Sequence, residues 1–159
     1  MRVGIGYDVH RFAPGRLLVL GGVSVPFAQG LAGHSDADVL VHAVMDAMLG
    51  ALALDDIGRH FPDTDGRYKD ASSIKLLAQV GELCREQGYS VGNTDAVIMA
   101  EQPKLAPYTE QMRANIAETL GISIGRVGIK ATTTEGLGFC GRGEGIAAQA
   151  VVLLTRNEL

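Results

Sequence analysis

Three side chains able to bind a metal ion stand out near the start of the chain: Asp8, His10 and His42. Asp8 and His10 follow Gly4 and Gly6 in a segment of period-two alternation, so they point to one face of a predicted strand. His42 lies within a nearly uninterrupted apolar stretch, where an ionisable group is costly unless it is paired or metal-bound. Two imidazoles and one carboxylate are typical of catalytic zinc, which leaves its fourth position open for substrate.

An ordinary structural explanation exists for each of these residues. An isolated Asp-x-His pair is more often two polar residues at the solvated end of a strand. A buried histidine is also found as a core residue held by an acidic neighbour, here Asp38 or Asp46 of its own helix. The residues alone leave both interpretations open. The sequence contains no His-Glu-x-x-His pattern, so a zinc peptidase is not indicated.

A second polar group occurs at 130–135, where Lys130 and an alanine precede three threonines and Glu135. Hydroxyls and backbone N–H groups at the end of a strand can hold phosphate oxygens, and Glu135 can bind a hard divalent ion. Threonines are also common in ordinary strands, so this signal is weak by itself. The carboxylate-rich segment 55–65 is suited to a hydroxyl-rich substrate, or is a solvated loop.

The elements that must position these groups follow from hydrophobic patterning. Residues 34–52 predict a buried helix that begins with a capping box of Ser35 and Asp38. Strands are predicted over 2–12, 93–100, 127–134 and 145–154. Helices are predicted over 72–87 and 105–120, and a hairpin over 17–20 and 23–27.

This order of elements predicts one α+β domain over residues 1–159, with a mixed β-sheet and helices on one face. The last predicted strand is largely apolar on both sides from Ile146 to Leu154. A sheet covered by helices on one face has no need of apolar residues on the other. We therefore expect further copies of the chain to cover that face in a closed homo-oligomer.

Composition limits the partners and the compartment. The 159 residues include 14 basic and 18 acidic residues, and the net charge of −4 argues against a nucleic-acid surface. The two isolated cysteines, Cys84 and Cys140, favour a reducing cytoplasm and structural roles. No apolar run approaches membrane-spanning length, so a cytoplasmic protein without a membrane partner is expected.

Several motifs resemble those of a known family. They are Gly-Tyr-Asp-Val-His at 6–10, Ser-Asp-Ala-Asp-Val-Leu-Val-His-Ala at 35–43, Phe-Pro-Asp-Thr-Asp at 61–65, and the whole of 130–145. In these motifs the sequence resembles the 2-C-methyl-D-erythritol 2,4-cyclodiphosphate synthases of the non-mevalonate isoprenoid pathway, over residues 2–154. The resemblance implies a phosphorus–oxygen lyase. Its substrate would be 4-diphosphocytidyl-2-C-methyl-D-erythritol 2-phosphate, which cyclises to the 2,4-cyclodiphosphate with release of CMP.

The resemblance also implies roles for individual residues. Zn²⁺ would be bound by Asp8, His10 and His42, and Mg²⁺ or Mn²⁺ near Glu135 would bridge the diphosphate. His34 and Thr133 would be catalytic and stabilise the transition state. Contacts to the methylerythritol phosphate end are expected from Asp8, Val9, His10, His34, Ser35, Asp56, Ile57, Gly58, Phe61, Pro62, Asp63, Thr64 and Asp65. The cytidine diphosphate pocket is expected from Ala100, Glu101, Gln102, Pro103, Lys104, Leu105, Ala106, Ala131, Thr132, Thr133, Thr134 and Glu135, with Phe139 and Arg142 as further contacts.

The implied assembly is a homotrimer whose sheets pack around a threefold axis, with active sites at the subunit interfaces. Two other classes of protein remain as alternatives. A trimeric nucleotide-binding signalling module would share such an architecture but would not need three metal ligands with an open position. A zinc phosphohydrolase would use a metal-bound water as nucleophile and release linear products.

Overall fold

The computed structural model describes residues 1–157. Its strands are β1 (Arg2–Ala13), β2 (Leu18–Leu20), β3 (Val23–Val25), β4 (Gly30–Leu31), β5 (Tyr89–Met99), β6 (Val127–Thr132) and β7 (Gly145–Arg156). Its α-helices are α1 (Val39–Ala51), α2 (Ile57–His60), α3 (Ser73–Glu86), α4 (Thr109–Leu120) and α5 (Gly138–Gly141). Short 3₁₀ turns occur at Gly66–Tyr68, Ala106–Tyr108 and Ile124–Arg126.

Five strands form one mixed sheet in the order β4-β1-β7-β5-β6. The pairs β1–β7 and β5–β7 are antiparallel, whereas β5 and β6 run parallel. Strands β2 and β3 form a separate hairpin around Gly21 and Gly22. The described residues thus form a single α+β domain with a mixed sheet, which confirms the predicted fold class.

Helix α1 lies on the inner face of β1 and β7 and is buried over most of its length, as its composition predicted. Its approach to β1 requires glycine, because a Cβ added to Gly6 would lie 2.0 Å from the carbonyl oxygen of Ala43. Gly4 meets Ala47 in the same way, at 1.9 Å. This close packing holds the helix directly over the strand that carries the predicted metal ligands.

Within residues 1–157 the helices pack on one face of the sheet, as predicted. Helices α3 and α4 pack beside α1, and the inner residues of β7 are buried. On the opposite face the side chains of Val3, Ile5 and Tyr7 are exposed by 67%, 63% and 52%. Val151 is paired with Ile5 across the β1–β7 ladder and is also exposed. The open face of this sheet is therefore apolar at its centre.

Several predicted boundaries are corrected by the structure. Helix α1 begins at Val39 with Asp38 as its N-cap, so the predicted Ser35–Asp38 capping box is wrong. The Ser35 hydroxyl instead accepts the backbone N–H of Ala37, two residues on. The helix predicted over 105–120 divides into a 3₁₀ turn and α4, and the strand predicted to 134 ends at Thr132. The segment 55–65, for which a solvated loop was one of the two interpretations, contains the short helix α2.

The Asp38 carboxylate connects the β2–β3 hairpin to the start of α1. It is fully buried and accepts backbone N–H groups of Gly21 at 2.9 Å, Gly22 at 2.7 Å and Val41 at 3.1 Å. An unpaired buried donor costs about 1–3 kcal/mol, and loss of an N-cap costs about 1 kcal/mol. This one side chain therefore contributes to both the helix start and the turn beneath it.

We expect Asp38→Ala to lower the free energy of unfolding by about 3 kcal/mol. For a domain of this length the corresponding fall in Tm is about 10 °C. The measurement is calorimetry at one fixed protein concentration. Ser72→Ala is the matched control, because Ser72 is the N-cap of α3 but makes no side-chain capping bond. Equal changes in Tm for the two variants would contradict the role given to Asp38.

Candidate metal centre and adjoining cavity

Asp8, His10 and His42 converge at the inner face of the sheet, under α1. Asp8 Oδ2 lies 3.0 Å from His10 Nε2 and 3.0 Å from His42 Nδ1. The two imidazole nitrogens are 3.2 Å apart. Ligand atoms of a tetrahedral zinc ion, each about 2.0–2.1 Å from the metal, stand about 3.3 Å from one another. The three side chains therefore fit one zinc ion with a fourth position left for substrate.

Hydrogen bonds on the far side of each ring keep the inward nitrogens available. His10 Nδ1 donates to the carbonyl oxygen of Ala32 at 2.7 Å, so Nε2, on the side of Asp8, is the ring nitrogen that can bind a metal ion in the neutral imidazole. His42 Nε2 lies 3.0 Å from Ser73 Oγ and 3.2 Å from Ser35 Oγ. Backbone and hydroxyl partners of this kind orient metal-binding histidines.

The alternative explanation for His42, a core histidine held by Asp38 or Asp46, is not supported. Asp38 is occupied by the three N–H groups described above. Asp46 accepts the backbone N–H of Ile57 at 2.8 Å, and so ties α1 to the start of α2. Within residues 1–157, neither carboxylate hydrogen-bonds the imidazole of His42. The side chain of His42 instead faces Asp8, from a different element.

The charges of this cluster suit a divalent cation. Burial by itself would raise the pKa of Asp8. The hydrogen bonds of its carboxylate with His10 and His42, together with the charges of these two imidazoles, hold that pKa well below its usual range. Burial would lower the pKa of His10, but its hydrogen bond to Asp8 and the charge of Asp8 outweigh that effect and raise it. Asp8 is thus ionised near neutral pH and supplies the anionic ligand that a metal site needs.

A cavity of about 420 Å³ adjoins the three ligands. It is lined by Asp8, His10, Gly33, His34, Ser35, His42, Met45, Ile57, Gly58, Phe61, Asp63, Tyr68 and Leu76. Nine of these were predicted as site residues, all except Gly33, Met45, Tyr68 and Leu76. Met45 stands three residues after His42 on the same helix face, so helical spacing was a signal for it. The ring of Tyr68 packs edge-on against that of Phe61, with 5.3 Å between the ring centroids, and only the folded chain reveals this contact.

The predicted residues at 56–65 lie in and around the cavity rim. Asp56 is the N-cap of α2 and accepts the N–H of Arg59, so its carboxylate shapes the segment rather than the cavity wall. The carbonyl oxygen of Asp65 accepts a hydrogen bond from His34 Nε2 at 3.1 Å, while its carboxylate pairs with Arg67. Pro62 and Thr64 complete this segment without lining the cavity. Val9 points to the opposite, open face of β1, where it is 42% exposed.

The second predicted group lies at the carboxyl ends of the parallel strands β5 and β6. Glu101 Oε1 accepts the backbone N–H of Thr134 at 2.9 Å and that of Gly136 at 3.3 Å. Thr133 Oγ1 and Glu135 Oε1 are 3.3 Å apart. Segments 100–106 and 131–135 are therefore joined into one surface, in the place where open sheets with parallel strands commonly bind ligands. Nearby, Phe139 is 37% exposed and Arg142 pairs with Glu144 at 2.8 Å.

A single chain keeps this surface away from the metal ligands. The register places Val9, Ala147, Met99 and Thr132 in one row across β1, β7, β5 and β6. Three strand spacings separate the ends of that row, a distance of about 14 Å. Among the described residues, none from 100–106 or 131–135 lines the cavity beside Asp8. The structure thus forms two candidate half-sites, each from predicted residues, but does not bring them together within one chain.

Two further predictions concern the cysteines and the membrane. Cys84 and Cys140 are both free and buried, as expected for structural residues, and burial raises the pKa of Cys84 to about 11. Within residues 1–157, every helix is too short or too polar to cross a bilayer.

Comparisons with known proteins agree with this architecture. The model of the YgbB family matches residues 1–155. A 2-C-methyl-D-erythritol 2,4-cyclodiphosphate synthase of Alkaliphilus metalliredigens is 64% identical over 152 residues, which cover 96% of each chain. The structure of the bifunctional IspDF from Campylobacter jejuni superposes with a TM-score of 0.95 and 46% identity, over 99% of this chain and 42% of that one. An IspF–CDP complex from Plasmodium falciparum gives a TM-score of 0.87 and 31% identity, over 99% of this chain and 97% of that one.

Proposed function

This chain belongs to the YgbB family of 2-C-methyl-D-erythritol 2,4-cyclodiphosphate synthases, and we propose how its own residues carry out that reaction. The chain is a lyase of the non-mevalonate isoprenoid pathway. Its substrate is 4-diphosphocytidyl-2-C-methyl-D-erythritol 2-phosphate, and it releases CMP. The observation that carries the mechanism is the convergence of Asp8, His10 and His42 beside a cavity large enough for a phosphorylated tetritol.

The nucleophile belongs to the substrate. An oxygen of the 2-phosphate attacks the β-phosphorus, a new P–O–P bond forms, and the bond between the β-phosphorus and the CMP oxygen breaks. A phosphate monoester with a second pKa of about 6 is already mostly dianionic near neutral pH, so no general base is required. Correct placement of a tethered nucleophile supplies about 7–11 kcal/mol, so the main task of the protein is to fold the substrate back on itself.

The cavity residues perform this placement. Asp8, His10 and His42 would hold a zinc ion, which supplies Lewis-acid polarisation of phosphate oxygens when bound. The hydroxyl of Ser35 lies beside the ligands and is placed to donate a hydrogen bond to a phosphate oxygen. The imidazole of His34, whose Nε2–H is held by the carbonyl of Asp65, lines the same cavity and is proposed to contact the reacting phosphates. The carboxylate of Asp63 and the backbone of Gly58 face the same cavity and suit the hydroxyl groups of the tetritol.

The half-site at β5 and β6 is proposed to bind the cytidine diphosphate part. Its strand ends offer backbone N–H groups and the hydroxyl of Thr133, and Lys104 adds a positive charge. The CDP complex of the Plasmodium relative supports a nucleoside diphosphate as a ligand of this family. Glu135 stands beside Thr133 and would hold Mg²⁺ or Mn²⁺ against the diphosphate.

We expect Glu135→Gln to raise the Mg²⁺ concentration needed for half-maximal rate roughly tenfold, equal to about 1.4 kcal/mol of lost ion binding. A hard ion loses an anionic oxygen ligand, whereas the zinc ligands are untouched. The measurement is a Mg²⁺ titration of CMP release with zinc content determined in parallel. Glu118→Gln on the exposed side of α4 serves as the control. An unchanged titration, or a loss of zinc, would reject this role for Glu135.

A homotrimer with shared active sites is the assembly we propose. The exposed apolar centre of the open face, at Val3, Ile5, Tyr7 and Val151, supports burial against other copies around a threefold axis. The separation of about 14 Å between the two half-sites of one chain supports completion of each site by a neighbour. The metal half of one subunit would then face the cytidine half of the next.

One incubation separates this function from its alternatives. The cytidylylated substrate is mixed with the enzyme, Zn²⁺ and Mg²⁺, and the products are identified by ³¹P NMR. Cyclisation gives equal amounts of CMP and a cyclic diphosphate. A linear phosphate product would instead identify a zinc phosphohydrolase. Unchanged substrate would identify a binding module.

A further inference from the structure

The two ring nitrogens of His42 face different surroundings. Nδ1 lies 3.0 Å from Asp8 Oδ2, inside the candidate metal centre. Nε2 lies 3.0 Å from the hydroxyl of Ser73, which is fully buried at the first position of α3. A neutral imidazole carries one proton, so a partner that accepts a hydrogen bond from Nε2–H leaves a lone pair on Nδ1 for a metal.

The hydroxyl proton of Ser73 is committed to a third residue, Asp36. Ser73 Oγ donates a short hydrogen bond to Asp36 Oδ1. Asp36 Oδ2 accepts the backbone N–H of Ser73 at 2.9 Å, so both carboxylate oxygens face this one residue. An ionised carboxylate only accepts hydrogen bonds. The Ser73 oxygen must therefore offer a lone pair, not a proton, to His42.

The segments that carry these groups are fixed to each other by backbone hydrogen bonds. The N–H of Asp36 donates to the carbonyl of Ala71 at 3.1 Å, and the N–H of Asp70 donates to the carbonyl of His34 at 2.8 Å. Asp36 Oδ1 also accepts the N–H of Asp38 at 3.2 Å. The position of the Asp36 carboxylate beside Ser73 is thus set by the fold.

We propose that Asp36 and Ser73 are positioning residues that hold His42 in its Nε2–H tautomer and so keep the Nδ1 lone pair available to the metal. This inference rests on the proposed metal centre. Neither residue touches the metal or the substrate, and both act only through the imidazole. Ser35 also contacts Nε2, at the longer distance of 3.2 Å, but no carboxylate accepts its proton in the described part of the chain.

The sharpest test is Asp36→Asn, which keeps nearly the same side-chain shape but reverses donor and acceptor in the hydrogen bond with Ser73 Oγ. The amide oxygen can keep the bond from the Ser73 N–H, and the amide nitrogen then donates to Ser73 Oγ. The hydroxyl proton is released toward His42 Nε2, which favours the Nδ1–H tautomer and blocks the metal-binding nitrogen. The same exchange beside a catalytic histidine produces the wrong tautomer in serine proteases.

We expect Asp36→Asn to weaken Zn²⁺ binding by about 10–100-fold, the usual effect of losing a partner of a metal-bound histidine. Ser73→Ala removes the acceptor itself and should weaken Zn²⁺ binding in the same range. Affinity is measured by competition with a chromophoric chelator. Ser72→Ala is the matched control, because the neighbouring hydroxyl makes no capping bond, and its affinity should equal that of the wild type.

A second readout separates positioning from a purely structural role. Long-range ¹H–¹⁵N spectra of the metal-free protein at pH 8 report the tautomer of His42. The wild type should show a larger Nε2–H population than Asp36→Asn, because Asp8 attracts the proton to Nδ1 in both proteins and only the Ser73 side of the ring differs. A lower Tm with unchanged tautomer and unchanged Zn²⁺ affinity would overturn the inference. If the wild type itself binds no Zn²⁺, the proposed metal centre is wrong, and the tautomer shift alone then decides the role of Asp36.

Discussion

Replacing His42 by alanine is expected to abolish tight zinc binding and to slow CMP release by about a thousandfold or more. The physical reason is that two remaining ligands, Asp8 and His10, cannot hold the ion in place of three. Lewis-acid stabilisation is worth several kcal/mol, and about 4 kcal/mol corresponds to a thousandfold in rate. Zinc content is measured by elemental analysis after dialysis, and the rate by CMP release.

The chain should stay folded, because the glycine-mediated contact of α1 with β1 and the remaining buried residues of the helix are unchanged. Circular dichroism and the oligomeric state check this point. His60→Ala is the control for a histidine outside the ligand set, since His60 Nε2 donates to the carbonyl of Leu54 and the ring does not line the cavity beside Asp8. Full zinc occupancy in the His42 variant would refute the ligand assignment.

Mixing two inactive variants should restore about a quarter of the wild-type activity. Asp8→Ala is expected to disable the proposed metal half-site, and Thr133→Ala the proposed cytidine half-site. In a trimer with head-to-tail contacts, a site is intact only where an unmutated metal half meets an unmutated cytidine half. Random assembly gives each condition a probability of one half, so about a quarter of interfaces are active. The two proteins are unfolded, combined in equal amounts, refolded and assayed.

Each variant refolded alone sets the background, and refolded wild type sets the maximum. Native mass spectrometry confirms that mixed trimers have formed. If mixed trimers are as inactive as either parent, each active site is formed within one chain. That result would contradict the shared site inferred from the separation of about 14 Å across β1, β7, β5 and β6. A single oligomeric species other than a trimer would disprove the threefold arrangement.

The sequence by itself determined the main elements and the types of the candidate metal ligands. Period-two alternation correctly assigned β1 and placed Asp8 and His10 on one face, because alternate side chains of a strand point the same way. The apolar stretch around His42 correctly predicted a buried helix, because such a surface is stable only in an interior. Both patterns are local: the backbone conformation and the burial of a strand or helix can be inferred from the types of neighbouring residues.

Features that depend on distant residues were decided by the tertiary structure alone. Helix α1 begins at Val39 and not near Ser35 as predicted. The reason is that the carboxylate of Asp38 accepts the backbone N–H groups of Gly22 and Gly21, which lie 16 and 17 residues earlier in the chain. The partners of His42 are Asp8, 34 residues before it, and Ser73, 31 residues after it, and not the acidic neighbours on its own helix. No sequence period relates residues at such separations. The packing of α1 onto β1 and α3 sets their proximity, and it therefore sets the geometry of the candidate metal centre.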